Sequence, residues 1–257
     1  MLLKDKNAVI YGAGGKIGST VARAFARDGA KVFLAGCTLP KLEALTEEIS
    51  LAGGAAEAAQ VDALDPQAIE QHLDAIVQKT GSIDITFNAI SIRGDMGTPL
   101  IQMTSENFTL PILTRVKTHF LTATAAARHM VRQRSGVILT LSSSAAGLSG
   151  RDSRFHLTGG FGTACASIEA LSRSLAGELG PQGIRVVCLR PDAIPETWTN
   201  EGEGSESDVK TYMENGTLLG HLPTLNEVAN AAVFMASDRA SAMTGTIANL
   251  TCGSIMD

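Results

Sequence analysis

Short apolar runs alternate with longer segments of helical period along the chain, and no other feature of the sequence restricts the fold as much. The runs predict strands at Asn7–Tyr11, Lys31–Ala35, Ala56–Val61, Ile83–Asn88, Val137–Ser142, Ile184–Leu189 and Thr246–Leu250. Between them Leu42, Leu45 and Ile49 recur at helical spacing, as do Ile69, Leu73, Ile76 and Val77, so each set offers one apolar face to a sheet. Strands separated by helices are joined in parallel. The expectation is therefore an α/β, doubly wound, mainly parallel seven-stranded sheet in the order 3-2-1-4-5-6-7, with helices on both faces. No linker divides the 257 residues, and a single domain over 1–257 is expected.

The charge balance narrows the partners. Lys and Arg total 21 against 26 Asp and Glu, a net charge of −5, and aromatic residues make up only 4% of the chain. Nucleic-acid binders need basic surface and stacking platforms, so none is expected as a partner. No apolar run approaches the roughly 18 residues of a membrane span. Lys4, Asp5 and Lys6 stand where a secretory leader would need a long apolar stretch. No membrane partner and a cytoplasmic location are the expectations. Cys37, Cys165, Cys188 and Cys252 form no C-x-x-C pair and have no histidine at ligand spacing, so no metal site is expected.

The chemistry starts at the first turn, Val9-Ile10-Tyr11-Gly12-Ala13-Gly14-Gly15-Lys16-Ile17-Gly18-Ser19. A strand that turns on glycines into a helix aims bare N–H groups and the positive helix end at a phosphate. In this reading Gly12 makes the turn, Gly14 allows close approach and Gly18 lets the helix pack on the strand. A tight turn that binds nothing is the alternative. No Gly-Lys-Ser/Thr follows at the spacing of a Walker-type loop.

Further landmarks follow in order: Val61-Asp62, Phe87-Asn88-Ala89-Ile90, the strand from Gly136 to the Ser-Ser-Ser-Ala-Ala-Gly147 segment, Ser172–Gly180 and Gly183–Pro191. With the glycine turn they make the sequence resemble a short-chain dehydrogenase/reductase along essentially its whole length. The resemblance implies a Rossmann-type fold that binds NAD or NADP and moves hydride to or from a small molecule. It assigns Gly12, Gly14, Gly15, Lys16, Ile17, Gly18, Cys37, Thr38, Asp62, Ala63, Asn88, Ala89, Pro191, Ile194 and Thr197 to the cofactor. It also implies a homodimer or homotetramer pairing through the Arg115–Arg132 and Phe161–Leu179 helices.

The departures lie at the catalytic positions. Where the family has a proton-donating Tyr and a Lys four residues later, this chain has Phe161 and Cys165; its helix asparagine aligns with Arg115. A phenyl ring has no proton to give, and a thiol is uncharged unless its pKa is lowered. The serine survives. Counting from the strand gives Ser143, and counting back from Ala-Ala-Gly gives Ser144, which is preferred. The segment from there to Phe161 exceeds the family's spacing and holds Arg151, Asp152, Arg154 and His156. His156 is the titratable candidate for a substitute acid, against the reading as an exposed loop histidine. His119 and His129 are read as structural, and Tyr11 and Tyr212 are the only tyrosines.

Lys16 in the glycine turn, with neutral Cys37 and Thr38 where an NAD site usually has an acid, leans the cofactor toward NADP. Asp192 takes the glycine place of the family's P-G pair. The polar stretch 196–216 is read as a mobile lid or a solvated insertion. The function expected is an oxidoreductase acting on a carbonyl, alcohol or activated C=C bond with an altered proton donor. The alternatives are a non-catalytic dinucleotide-binding subunit or regulator, and a non-redox lyase or isomerase.

Overall fold

The computed structural model describes residues 1–92, 94–152, 156–198 and 206–256. Seven strands form one sheet: β1 (Asn7–Tyr11), β2 (Lys31–Gly36), β3 (Ala55–Gln60), β4 (Ile85–Asn88), β5 (Gly136–Leu141), β6 (Ile184–Pro191) and β7 (Thr246–Leu250). Their order is β3-β2-β1-β4-β5-β6-β7, every pair parallel, as the alternation predicts. β1 and β7 have the expected bounds, and the other strand ends differ by at most two residues, most at β4, which starts at Ile85, and at β6, which runs on to Pro191.

The helices are α1 (Lys16–Arg27), α2 (Leu39–Leu51), α3 (Pro66–Thr80), α4 (Ser105–Pro111), α5 (Lys117–Gln133), α6 (Ala145–Leu148), α7 (Gly159–Leu179), α8 (Glu206–Asn215) and α9 (Leu225–Ala236). Period-two alternation divides the strands between two cores. Ala8, Ile10, Val32 and Leu34 face α1, α2 and α9, whereas Val9, Tyr11, Phe33 and Ala35 face α3 and α5. Each fully buried Phe, Leu or Ile contributes about 1.5–3 kcal/mol of transfer free energy. Local signals set the helix starts: Asp65 caps α3 through the N–H groups of Gln67 and Ala68, and Thr224 with Glu227 forms a capping box on α9.

Two elements depart from the pattern and both bear on the site. The helix expected from Arg115 begins as a π-helical turn, Ile112–Val116, before α5. Pro111 inside the preceding helix has no N–H for the ladder, and the wide turn that follows carries the Arg115 side chain into the interior. Second, the stretch expected as a polar loop over 196–216 contains α8; Val209, Tyr212 and Met213 recur on it at helical spacing. Residues 199–205 of that stretch lie outside the described residues. No helix among the described residues is long and apolar enough to cross a membrane.

Candidate active site

Parallel strands leave a crevice at their carboxyl ends where the chain parts to opposite faces, here between β1 and β4. Gly12 turns out of β1 with φ of 76°, a conformation L side chains rarely adopt. A Cβ on Gly18 would lie 2.3 Å from the Gly12 carbonyl oxygen, so only glycine lets α1 start this close to the strand. Gly14, Gly15 and Lys16 are exposed, and Gly15 caps α1 without any side-chain hydrogen bond, leaving its first N–H groups facing the crevice. That uncapped cradle fits an anion such as a dinucleotide diphosphate.

The other assigned residues line the same edge. Cys37 and Thr38 are exposed beyond β2, and Asp62 is exposed beyond β3 with its carboxylate accepting from the Leu64 N–H, while Ala63 is buried beside it. Asn88 closes the floor: its amide donates to Thr122 Oγ1 at 3.0 Å and accepts from the Ile90 N–H at 2.9 Å, with Ala89 buried next to it. Lys16 does not extend toward Cys37. Its ammonium donates to the carbonyls of Glu196 (2.6 Å) and Trp198 (3.2 Å), fastening the glycine turn to the segment after β6, so its use as a cation for a 2′-phosphate loses its geometric basis.

Past Ile17 the crevice opens into a cavity of about 240 Å³ under α8, with Ser144, His156, Phe161, Asp192 and Ile194 in its walls. Pro191 and Thr197 also line it. The Ser144 N–H donates to the Pro191 carbonyl, joining the ends of β5 and β6, and its hydroxyl donates to Asp192 Oδ1 at 2.6 Å. Ser143 faces the cavity too, and its oxygen accepts from the Ala145 N–H at 3.4 Å.

Phe161 and Cys165 sit one helical turn apart on α7, packed together with Ala145. Cys165 is fully buried, and burial pushes its thiol pKa up to about 11, so it carries no charge near neutral pH. The cation of this region is Arg115, 1% exposed, whose guanidinium carbon lies 4.6 Å from the Phe161 ring centre. Arg115 donates to the Leu141 carbonyl at 3.0 Å and to Ser91 Oγ at 3.2 Å. β5 outruns β4 here. The Leu141 carbonyl and N–H therefore face no strand, and Arg115 and His119 take their place. His119 accepts from the Leu141 N–H at Nε2, so its Nδ1–H donates to the Arg115 carbonyl at 2.8 Å. Burial, reinforced by the Arg115 charge, holds the His119 pKa down to about 3.

His156 corrects the expectation of an exposed loop histidine. It is 8% exposed, and its Nδ1 lies 2.5 Å from Asp152 Oδ2, which also accepts from the Tyr212 hydroxyl of α8 at 2.7 Å. Asp152 lies only four residues from His156, but the Tyr212 contact that caps the pair was not legible in sequence, because Tyr212 stands 60 residues from Asp152. Arg151 is exposed, and Arg154 falls outside the described residues. His129 packs on Arg132 and Asp74 away from the cavity. No cluster of three metal-ligating side chains occurs among the described residues.

A doubly wound sheet with an anion cradle at its first turn and a small cavity at the switch point defines a dinucleotide-fold protein. The family model described as Enoyl-(Acyl carrier protein) reductase matches residues 12–254. The chain is 34% identical over 252 residues to Tropinone reductase-like 2 of Erythroxylum coca, covering 95% of this chain and 88% of that one. It is also 34% identical over 250 residues to L-rhamnose 1-dehydrogenase (NAD(P)(+)) of Azotobacter vinelandii, covering 95% and 94%. Among solved structures, a short-chain type dehydrogenase/reductase from Mycobacterium marinum superposes with a TM-score of 0.86 at 29% identity, covering 99% and 97% of the two chains. The chain belongs to the short-chain dehydrogenase/reductase family of oxidoreductases.

Proposed function

We propose that the protein is an NAD(P)-dependent oxidoreductase of a small carbonyl, alcohol or activated C=C compound, in which His156, oriented by Asp152, stands in for the tyrosine–lysine pair. The observation that carries this reading is the Asp152–His156 pair, with the imidazole in the wall of the cavity shared by Ser144 and Phe161. The uncapped α1 terminus and the exposed Gly14 and Gly15 would hold the diphosphate, and Ile194 and Thr197 would border the reacting end. When bound, the dinucleotide supplies or accepts the hydride. NADP is slightly preferred, because Cys37 and Thr38 place no carboxylate against a 2′-phosphate.

The chain's own groups divide the remaining tasks. Asp152 holds Nδ1, which turns the opposite imidazole nitrogen to the task of proton exchange, the arrangement a general acid needs. Tyr212 ties the same carboxylate to α8, so the helix acts as a lid whose closure completes the dyad. Val209 and Met213 of α8 make the cavity apolar around the reacting bond. Phe161 and Cys165 serve as packing, and Phe161 supplies a face for Arg115. Exposed Leu110, Leu113 and Phe120 around the π turn support self-association of this face into a dimer or tetramer.

Dinucleotide titration followed by turnover over a panel of ketones, alcohols and activated alkenes tests the reading. Binding with turnover that falls in His156→Ala is expected. Binding without any turnover would favour the second reading, a non-catalytic dinucleotide-binding subunit, which the loss of the phenol and the ammonium also suits.

A further inference from the structure

We propose that the buried carboxylate of Asp192 stabilises the positively charged, oxidised nicotinamide ring and so biases the site toward giving hydride to its substrate. This rests on the dinucleotide reading above. Asp192 follows Pro191 at the carboxyl end of β6, is 4% exposed and lines the cavity. Its oxygens are held by neutral donors alone: the hydroxyl of Ser144 at 2.6 Å, the N–H of Ala193 at 2.7 Å and the hydroxyl of Ser254. Glu169, the other buried acid near the cavity floor, has Arg190 at 3.6 Å. No cation of the described residues stands within ion-pair distance of Asp192.

Burying a carboxylate without a cation is expensive. Three donors fix its geometry, yet they leave its charge uncompensated, and the cavity is where a compensating charge can arrive. With the diphosphate on α1, the two arms of a dinucleotide run opposite ways along the sheet edge. One would pass toward Cys37 and Asp62, the other past Ile17 into the cavity beneath α8, which Ile17 and Asp192 both line. The substrate needs an enclosed space beside the reacting ring, which assigns that ring to the Asp192 side.

The ring is neutral when reduced and carries one positive charge when oxidised. In the reductive direction one C–H bond breaks on the ring and one forms on the acceptor carbon. The acceptor's π pair takes a proton from His156, and the positive charge remains on the ring. A carboxylate close by stabilises that final state and the transition state leading to it. Arg115 lines the same cavity, held by the neutral Leu141 carbonyl, Ser91 hydroxyl and Phe161 face, so its charge opposes the effect; it is unchanged in variants of Asp192, and the difference between wild type and those variants isolates the carboxylate. The net bias expected is about tenfold in relative affinity, equal to about 1.4 kcal/mol.

Isothermal titration of the wild type, Asp192→Asn and Asp192→Gly with NADP⁺, NADPH, NAD⁺, NADH and ADP-ribose tests the assignment. ADP-ribose lacks the ring and reports on the rest of the site. Both variants should bind the oxidised cofactor about tenfold more weakly, with the reduced form and ADP-ribose changing by less than about twofold. Variants that weaken ADP-ribose equally, or leave the oxidised-to-reduced ratio unchanged, would overturn the role of Asp192 while leaving the dinucleotide site standing. The wild type alone is also decisive: preference for the reduced form by about tenfold or more contradicts the proposal. Absence of binding by every dinucleotide would sink the cofactor reading itself, and this proposal with it.

Discussion

The two ends of the crevice follow different rules. At the α1 end the backbone carries the chemistry: Gly12 turns, Gly18 allows contact, and bare N–H groups face outward, so any side chain is a hindrance. At the α8 end the cavity is lined by side chains gathered from separate elements, Ser144, His156, Phe161, Arg115 and Asp192 among them, and in the proposed reading these carry the chemistry. A phosphate cradle depends on a chain path, which tolerates change elsewhere. A proton donor depends on one atom in one place. The first therefore tolerates side-chain change that the second does not.

The sharpest way to break this contrast is at His156. His156→Ala should lower turnover by about 10²–10⁴-fold, the usual contribution of a general acid, with dinucleotide affinity unchanged. Phe161→Tyr in that background should restore part of the loss, since it returns a hydroxyl to a ring that already lines the cavity. Steady-state kinetics beside direct binding separate the two ends, and equal loss of binding and rate would erase the distinction.

At the other end Gly18→Ala should cost about 1–3 kcal/mol of stability, because its Cβ meets backbone at 2.3 Å and the turn must shift. Denaturant melts measure this, and dinucleotide affinity should fall with it. An unchanged melt would show that the turn is softer than its geometry implies.

Stability should also decline in acid through His119. Its folded pKa, about 3, lies below the reference of about 6.5, so unfolding takes up a proton between those values. The unfolded state binds more protons there, and stability rises with pH. It is complete above about pH 6.5 and falls by about 1.4 kcal/mol per unit as pH drops toward 3. His72, held down to about 4 by burial, adds to the slope above its own folded pKa. Urea unfolding between pH 7 and 5 reads this, and His119→Gln should flatten it.

The smallest effect is the most discriminating for the cradle. A Cβ on Gly14 meets the side chains of Lys41 at 3.6 Å and Leu42 at 3.7 Å, ordinary contacts on an exposed turn, so Gly14→Ala should change stability by less than about 0.5 kcal/mol. Dinucleotide affinity should nevertheless fall, because the added methyl stands where the diphosphate approaches. Unaltered affinity would move the diphosphate off Gly14.

The seven strands, their order and the glycine turn were legible because each is written in neighbouring residues: alternation places side chains on one face or the other, and Gly12 through Gly18 read as a turn without knowledge of the rest. That Phe161 and Cys165 share one face of a helix was legible from their spacing of four, although Arg115 as the cation stacked on that ring was not. A π turn after Pro111 redirects Arg115, and neither residue announces it alone. The hold of Lys16 on the carbonyls of Glu196 and Trp198 was illegible for the same reason: these partners lie 180 and 182 residues away.

Sequence by itself therefore determined the sheet, its two cores and the cradle, since these follow from short-range periodicity and steric limits on single residues. Tertiary structure decided the rest of the site: the burial of His156 on Asp152 beneath Tyr212, and the gathering of Ser144 and Ser254 on Asp192 from 48 and 62 residues away. A hydrogen bond or a field depends on distance through space, and that distance exists only once the sheet has brought the ends of its strands to one edge.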